Sequence, residues 1–142
     1  MATWDDLLSY VRVRYEIMRQ ADGELWFNLP TSGDRTQLVV VRRVREPQAG
    51  ATEKAAAVAS GDTEWAQISS PIARTADVDV PKLLELAEAS PVGGVVARDG
   101  VALFRHSISL RDSGLDGFEF PFRQVVHFAD ELEHELTGTD EH

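Results

Sequence analysis

The sequence predicts a single α+β domain in which a five-stranded antiparallel sheet carries helices mainly on one face. Two alternating apolar runs flank Asp99-Gly100, a dipeptide typical of two-residue hairpin turns. Apolar residues recur at helical spacing near both ends of the chain. The resulting order, α-β-β-β-α-β-β-α, fits one domain of 142 residues with helices packed on an antiparallel sheet.

The register of the hairpin follows from its turn. If Asp99-Gly100 is the turn, Arg98 pairs with Val101, and successive side chains then point to opposite faces. The face expected in the core carries Val95, Ala97, Ala102, Phe104, Ile108 and Leu110. The face expected to be partly exposed carries Val96, Val101, Leu103, Arg105, Ser107 and Ser109.

The first half of the chain is predicted to contain one helix and two strands. Thr3 followed by Asp6 is typical of a capping box, and an amphipathic pattern follows until Gly23. The predicted elements are a helix over residues 4–20 and strands over residues 24–29 and 37–45. Residues 46–62 are interpreted as a loop insertion, although their alanines also permit a helical turn or two.

The second half is predicted to contain one strand, a short helix, the hairpin and a long helix. The strand covers residues 64–70, where apolar and polar residues alternate. Asp79 and Pro81 favour a helix start, and this short helix ends by Ser90. The final helix covers residues 118–137, with Pro121 in its first turn and Gly138 as its stop.

Composition limits the classes of function. The chain has no cysteine, which excludes disulfides and thiolate chemistry, and its N-terminus does not resemble a signal peptide. Its net charge of −10 disfavours nucleic acid and membrane surfaces as partners. The run Arg42, Arg43, Arg45 is expected to split between the two sides of a strand. We therefore expect a cytoplasmic protein with no cofactor.

Helices on one side leave the other face of the sheet uncovered. Trp65, Val101 and Leu103 are predicted to lie on this face, together with alternate valines of the second strand. Aromatic and aliphatic residues on an uncovered face are typical of an interface, so these three residues are candidates for a dimer or peptide contact. For Trp65 and for Trp26 the alternative is simple core packing.

The strand–Asp-Gly–strand hairpin ending in HSISL, the acidic glycine loop and the helix FRQVVHFADELEHELTG carry a resemblance to a known family. Together with the order of elements, they resemble the YbjN-like and type III secretion chaperone-like (CesT-type) fold. The match covers Val101 to Leu110 and Val125 to Leu136, and the element order extends it over nearly the whole chain. The resemblance implies a homodimeric, non-enzymatic, peptide-binding or chaperone-like protein. Residues 46–62 depart from the pattern.

Three patterns resemble functional motifs but are interpreted as structural. His127, Glu131 and His134 share one face of the last helix, but a metal site would need further ligands from other helices. Gly93-Gly94 precedes a strand, whereas a phosphate loop leads into a helix. Ser107 and Ser109 are expected to be exposed hydroxyls rather than nucleophiles. No metal or cofactor site is predicted.

The predicted function is therefore non-enzymatic binding of a protein or peptide by a chaperone-like homodimer. The alternative is a small-molecule-binding protein or enzyme with a cleft near His106 and residues 46–62. In that alternative His106 is a general base above Gly93; otherwise Gly93 only makes room for a structural imidazole. A further alternative is a domain with an assembly role alone.

Overall fold

A computed structural model describes residues 2–45 and 64–137 of the chain. It confirms the α+β class and, within these residues, shows an open antiparallel sheet of six strands with four helices. The strands are β1 (Arg19–Ala21), β2 (Glu24–Pro30), β3 (Thr36–Arg45), β4 (Glu64–Arg74), β5 (Gly94–Arg98) and β6 (Val101–Ser109). The helices are α1 (Trp4–Arg14), α2 (Val80–Ala87), α3 (Leu110–Ser113) and α4 (Glu119–Thr137), with a 3-10 turn at Thr75–Asp77.

The strands of the sheet lie in the order β1-β2-β3-β4-β6-β5, and all neighbours are antiparallel. This order follows the sequence except at the end, where β6 pairs with β4 and β5 forms the edge of the sheet. A bulge between Pro71 and Ala73 shifts the register of β4 against β6. The loop predicted at residues 46–62 lies outside the described residues.

The prediction of five strands is wrong because the first helix is shorter than expected. The capping box of Thr3 and Asp6 is present, but α1 ends at Arg14, and Tyr15 is already extended. Met18 donates its backbone N–H to Trp26 O at 2.8 Å, and β1 then pairs with β2. The residue predicted to stop the helix, Gly23, instead belongs to a hairpin turn with φ of +71°.

The hairpin predicted at Asp99-Gly100 is confirmed in position and register. Both turn residues have positive φ, +52° and +79°, and Arg98 pairs with Val101. On the predicted core face Ala102, Phe104, Ile108 and Leu110 are buried, Val95 is half-buried, and Ala97 is exposed. Its pairing partner Ala102 is buried, so Ala97 is exposed because β5 is the edge strand of the sheet.

One continuous core lies between the sheet and the helices. Phe27, Ile68 and Phe104 point into it from the strands, and Phe122 from α4; all four are fully buried. Edge-to-face contacts join Phe27 to Phe122, with ring centres 5.4 Å apart. Every described helix contributes buried apolar residues to this same core. The described helices therefore cover one face of the sheet, as predicted.

The remaining boundaries differ from prediction in small ways. β4 continues through Pro71 to Arg74, because the bulge accommodates the proline. A short helix, α3, follows β6 directly, and the Ser109 hydroxyl caps its first turn. Within residues 2–45 and 64–137, no helix combines the length and apolar composition that crossing a membrane requires.

Candidate functional site

The face of the sheet opposite the helices is the candidate functional site, and we call it the open face. Strand alternation and the pairing register assign its residues. Most residues near its centre are half-buried, whereas Arg98 and Arg105 are exposed. The residues of the open face near its centre are Glu24, Trp26, Leu38, Val40, Arg42, Trp65, Gln67, Ser69, Pro71, Val96, Arg98, Val101, Leu103 and Arg105.

The middle of the open face contains a shallow depression of about 320 Å³. Aliphatic and aromatic side chains form most of its floor, and polar groups stand at its ends. Its lining consists of Trp26, Leu38, Val40, Arg42, Gln67, Ser69, Pro71, Arg98, Asp99 and Leu103. This volume can receive a few apolar side chains from a partner molecule.

Trp26 is held in place at one side of the depression. Its indole Nε1 donates a hydrogen bond to Glu24 Oε1 at 2.5 Å, and Glu24 also forms an ion pair with Arg42 at 3.5 Å. The guanidinium carbon of Arg19 lies 5.2 Å from the centre of the Trp26 ring. Such a cation–π contact contributes about 0.5–1 kcal/mol at an exposed site. These contacts therefore fix the position of the Trp26 ring at the side of the depression.

Arginines from three strands meet on the open face, and the sequence did not predict this arrangement. Arg42 and Arg98 line the depression, and Arg105 lies in the row of paired residues that runs through Ser69 and Val40. Among the described residues, neither Arg98 nor Arg105 has an ion-pair partner. The depression thus has a cationic border although the whole chain carries a net charge of −10.

The run Arg42, Arg43, Arg45 does split, as expected. Arg43 points to the opposite face and lies near Asp22 and Glu64, while Arg42 faces the depression. The signal that could have revealed the cationic border was strand alternation, because Arg42 has the same parity as Val40. Its position relative to Arg98 and Arg105, however, depends on the pairing of β4 with β6, which joins distant parts of the chain.

The three predicted interface residues all lie on the open face, at different places. Leu103 lines the depression, and Val101 lies two residues nearer the Asp99-Gly100 turn. Trp65 lies at the other end of β4, opposite Ser109, outside the depression. The Trp65 Nε1 is buried and has no acceptor among the described residues. That these residues form an interface stays a prediction.

His106 lies on the other face, so it takes no part in the depression. It pairs with Ile68, a core residue, and is half-buried. Burial lowers the pKa of its imidazole below the ordinary value of 6.5, because the charged form loses hydration. Gly93 lies beside the core at φ +74°, where an added Cβ would come within 2.9 Å of Arg105 O and the Phe104 ring. This close approach explains the glycine structurally.

None of the other motif residues lines the depression. His127, Glu131 and His134 are exposed on α4, and no group of three or more metal-ligating side chains is found within the described ranges. Ser107 is exposed, whereas Ser109 is buried and its hydroxyl caps α3. The exposure expected for Ser109 is therefore wrong, because this residue begins the turn into the helix.

Two polar clusters bind the helices to the rest of the molecule. Asp130, which is 1% exposed, accepts hydrogen bonds from Arg35, the shortest at 2.8 Å. Glu119 accepts hydrogen bonds from the hydroxyls of Tyr10 at 3.1 Å and Tyr15 at 2.6 Å. Burial and the neighbouring Glu119 carboxylate raise the pKa of Tyr15. These clusters join α4 to the β2–β3 loop and to α1.

Comparison of the chain with known proteins gives no match to a family model, to a curated protein or to a solved structure. The resemblance to YbjN-like and secretion chaperone-like proteins therefore stays a prediction. The candidate site rests on the geometry of the open face alone.

Proposed function

We propose that this protein is a non-enzymatic binding module that docks an apolar segment of another protein on its open face. The observation that carries the proposal is the preformed depression between Trp26 and Leu103, on a sheet face that no described helix covers. Exposed apolar concavities of this kind are typical of recognition surfaces. A chaperone-like role agrees with this geometry, because such a role needs a binding surface and no reactive groups.

The chemistry of a sheet face favours a helical partner segment. In the middle of the sheet the backbone N–H and C=O groups are already paired between strands, so this face offers side chains only. An extended peptide lying flat on it would leave its own backbone groups without protein partners, whereas a helix satisfies them internally. A helix on a sheet is also the layer arrangement that the core face already has.

The dimensions of the sheet set the length of the segment. Neighbouring strands lie about 4.8 Å apart, so the six strands span about 24 Å from edge to edge. A helix rises about 1.5 Å per residue, and about 16 residues therefore cross the face. Three labelled helical peptides of about this length serve as probes. Each carries a leucine stripe at i, i+3, i+4 and i+7, and the flanking positions are glutamate, glutamine or lysine.

Binding is measured by fluorescence anisotropy with the wild-type protein and two matched variants. Leu103→Gln removes an apolar side chain from the depression, and Leu84→Gln changes an exposed leucine of α2. We expect saturable binding of at least one peptide and about tenfold weaker binding by Leu103→Gln alone, since buried leucines contribute more than 1 kcal/mol to such contacts. If no peptide binds at about 1 mM, or if Leu103→Gln binds as wild type does, the proposal fails.

A second copy of the chain is the second candidate partner, as the predicted homodimer requires. Trp65 favours it, because this half-buried aromatic side chain lies on the open face and aromatic residues are enriched at interfaces. A twofold interface on the open face would, however, bring each patch against itself, and the Arg98 and Arg105 guanidiniums would face like charges. Light scattering of wild type and Trp65→Asp separates the two partners: a dimer that the substitution dissociates would support the homodimer.

A further inference from the structure

We infer that the open face selects a partner helix whose flanks carry carboxylates. This inference rests on the proposed function and specifies the chemistry of the same site. The observation behind it is the contrast between the net charge of the chain, −10, and the charge at the border of the depression. Arg98 and Arg105 have no ion-pair partner among the described residues, and Arg42 shares one with Glu24.

The positions of the arginines suit a helix that lies across the strands. Arg42 and Arg98 line the depression from different strands, with the apolar residues Val40 and Leu103 between them. A helix with a central apolar stripe places its flanking side chains on both sides of that stripe. Carboxylates at these flanks would reach guanidiniums on either side of the apolar floor, and arginine binds carboxylates in a bidentate geometry.

A single-stranded nucleic acid is the competing anionic partner, and the site suits it less. The ring of Trp26 already has Arg19 against it, which reduces its use as a stacking surface for bases. The aliphatic floor also lacks the positive charges and hydrogen-bond donors that bind a phosphate backbone, whereas leucine side chains pack well on it.

The test compares the three peptides of equal shape and different flanking charge. We expect the glutamate peptide to bind about tenfold more tightly than the glutamine peptide, since each exposed ion pair contributes about a threefold change. The lysine peptide should bind most weakly of the three. Raising the salt concentration should remove the advantage of the glutamate peptide while leaving the glutamine peptide nearly unchanged, because salt screens charges but not apolar contacts.

Variants at the border assign the effect to particular arginines. Arg98→Gln with Arg105→Gln should weaken the glutamate peptide about tenfold and leave the glutamine peptide unchanged. Arg12→Gln is the control: it removes one positive charge from an exposed position on α1, whose buried residues pack on the opposite face. We expect this control to bind all three peptides as wild type does. Equal stability of the variants, measured by urea unfolding, excludes a folding defect.

The outcomes separate this inference from the proposed function. If the glutamate and glutamine peptides bind equally well, and both depend on Leu103, the selectivity for carboxylates is wrong and the proposed function stands. A preference for the lysine peptide also overturns the inference. If none of the peptides binds, both proposals fail. A thymidine oligonucleotide tests the nucleic-acid alternative. If it alone binds, and its binding depends on Arg98 and Arg105, the open face recognises nucleic acid, and both proposals are wrong.

Discussion

The two faces of one sheet are made from the same strands and nevertheless have different chemistry. On β6, Phe104 is fully buried against the helices, while its neighbour Leu103 is half-buried beside the depression. The core face has aromatic rings in edge-to-face contact. The open face has an apolar floor too small to form a second core, with arginines around it. Strand alternation allows one stretch of chain to serve folding on one side and recognition on the other.

The contrast predicts that stability depends mainly on the core face. We expect Phe104→Ala to lower the free energy of unfolding by about 3–5 kcal/mol, since it opens a cavity where the Phe104 and Phe128 rings meet. Leu103→Ala, at the next position, should cost about 1 kcal/mol because solvent already reaches that side chain. Urea unfolding followed by tryptophan fluorescence measures both. Equal losses would show that the open face is part of the core.

A polar contact at the boundary of the core face sharpens the comparison further. Asp130→Asn should lower the free energy of unfolding by about 2–3 kcal/mol, because it removes the charge that accepts hydrogen bonds from Arg35 in a buried setting. Asp22→Asn is the control, since Asp22 is exposed and its ion pair with Arg43 is 3.6 Å long. We expect no measurable change in this control by urea unfolding. A similar loss in both variants would contradict the role given to burial.

The sequence predicted the core face better than the open face, and the reason is physical. Local turn chemistry fixes the register of Arg98 with Val101, and from it the faces of β5 and β6 follow. Asp22-Gly23 carried the same kind of signal, but the helical spacing before it favoured a longer helix. Tertiary pairing with β2 overrode that preference, and the sixth strand was missed.

The cationic border could not be predicted from the sequence, for a different reason. Arg42, Arg98 and Arg105 are far apart in the sequence, and they meet only because β4 lies between β3 and β6. No local pattern encodes that neighbourhood. The net charge of −10 by itself favours basic partners. The arrangement of charge on the open face supports the opposite preference, since an interface responds to local rather than total charge.

Two glycines on either side of β5 test how closely the hairpin packs. Gly93→Ala should cost about 2–3 kcal/mol, because its φ is +74° and the new methyl group would contact the Phe104 ring and Arg105 O. Gly100→Ala should cost about 1 kcal/mol, since only its φ of +79° opposes it and nothing lies within 4 Å of the added carbon. Thermal unfolding provides the comparison. If Gly93→Ala is the milder change, the close approach is not a constraint.

The smallest expected effect concerns His106, the one histidine on the core face of the described sheet. Burial lowers the pKa of His106 below 6.5, so the unfolded chain binds more protons than the folded one as the pH falls through this value. The stability that the neutral imidazole contributes is present above pH 6.5 and is lost towards the lower pKa of the folded state.

His106→Gln should therefore flatten this part of the pH dependence of unfolding. His127→Gln, at an exposed position of α4, should retain the wild-type slope. If the His106→Gln slope equals that of wild type, this imidazole is as well hydrated in the folded state as in the unfolded chain.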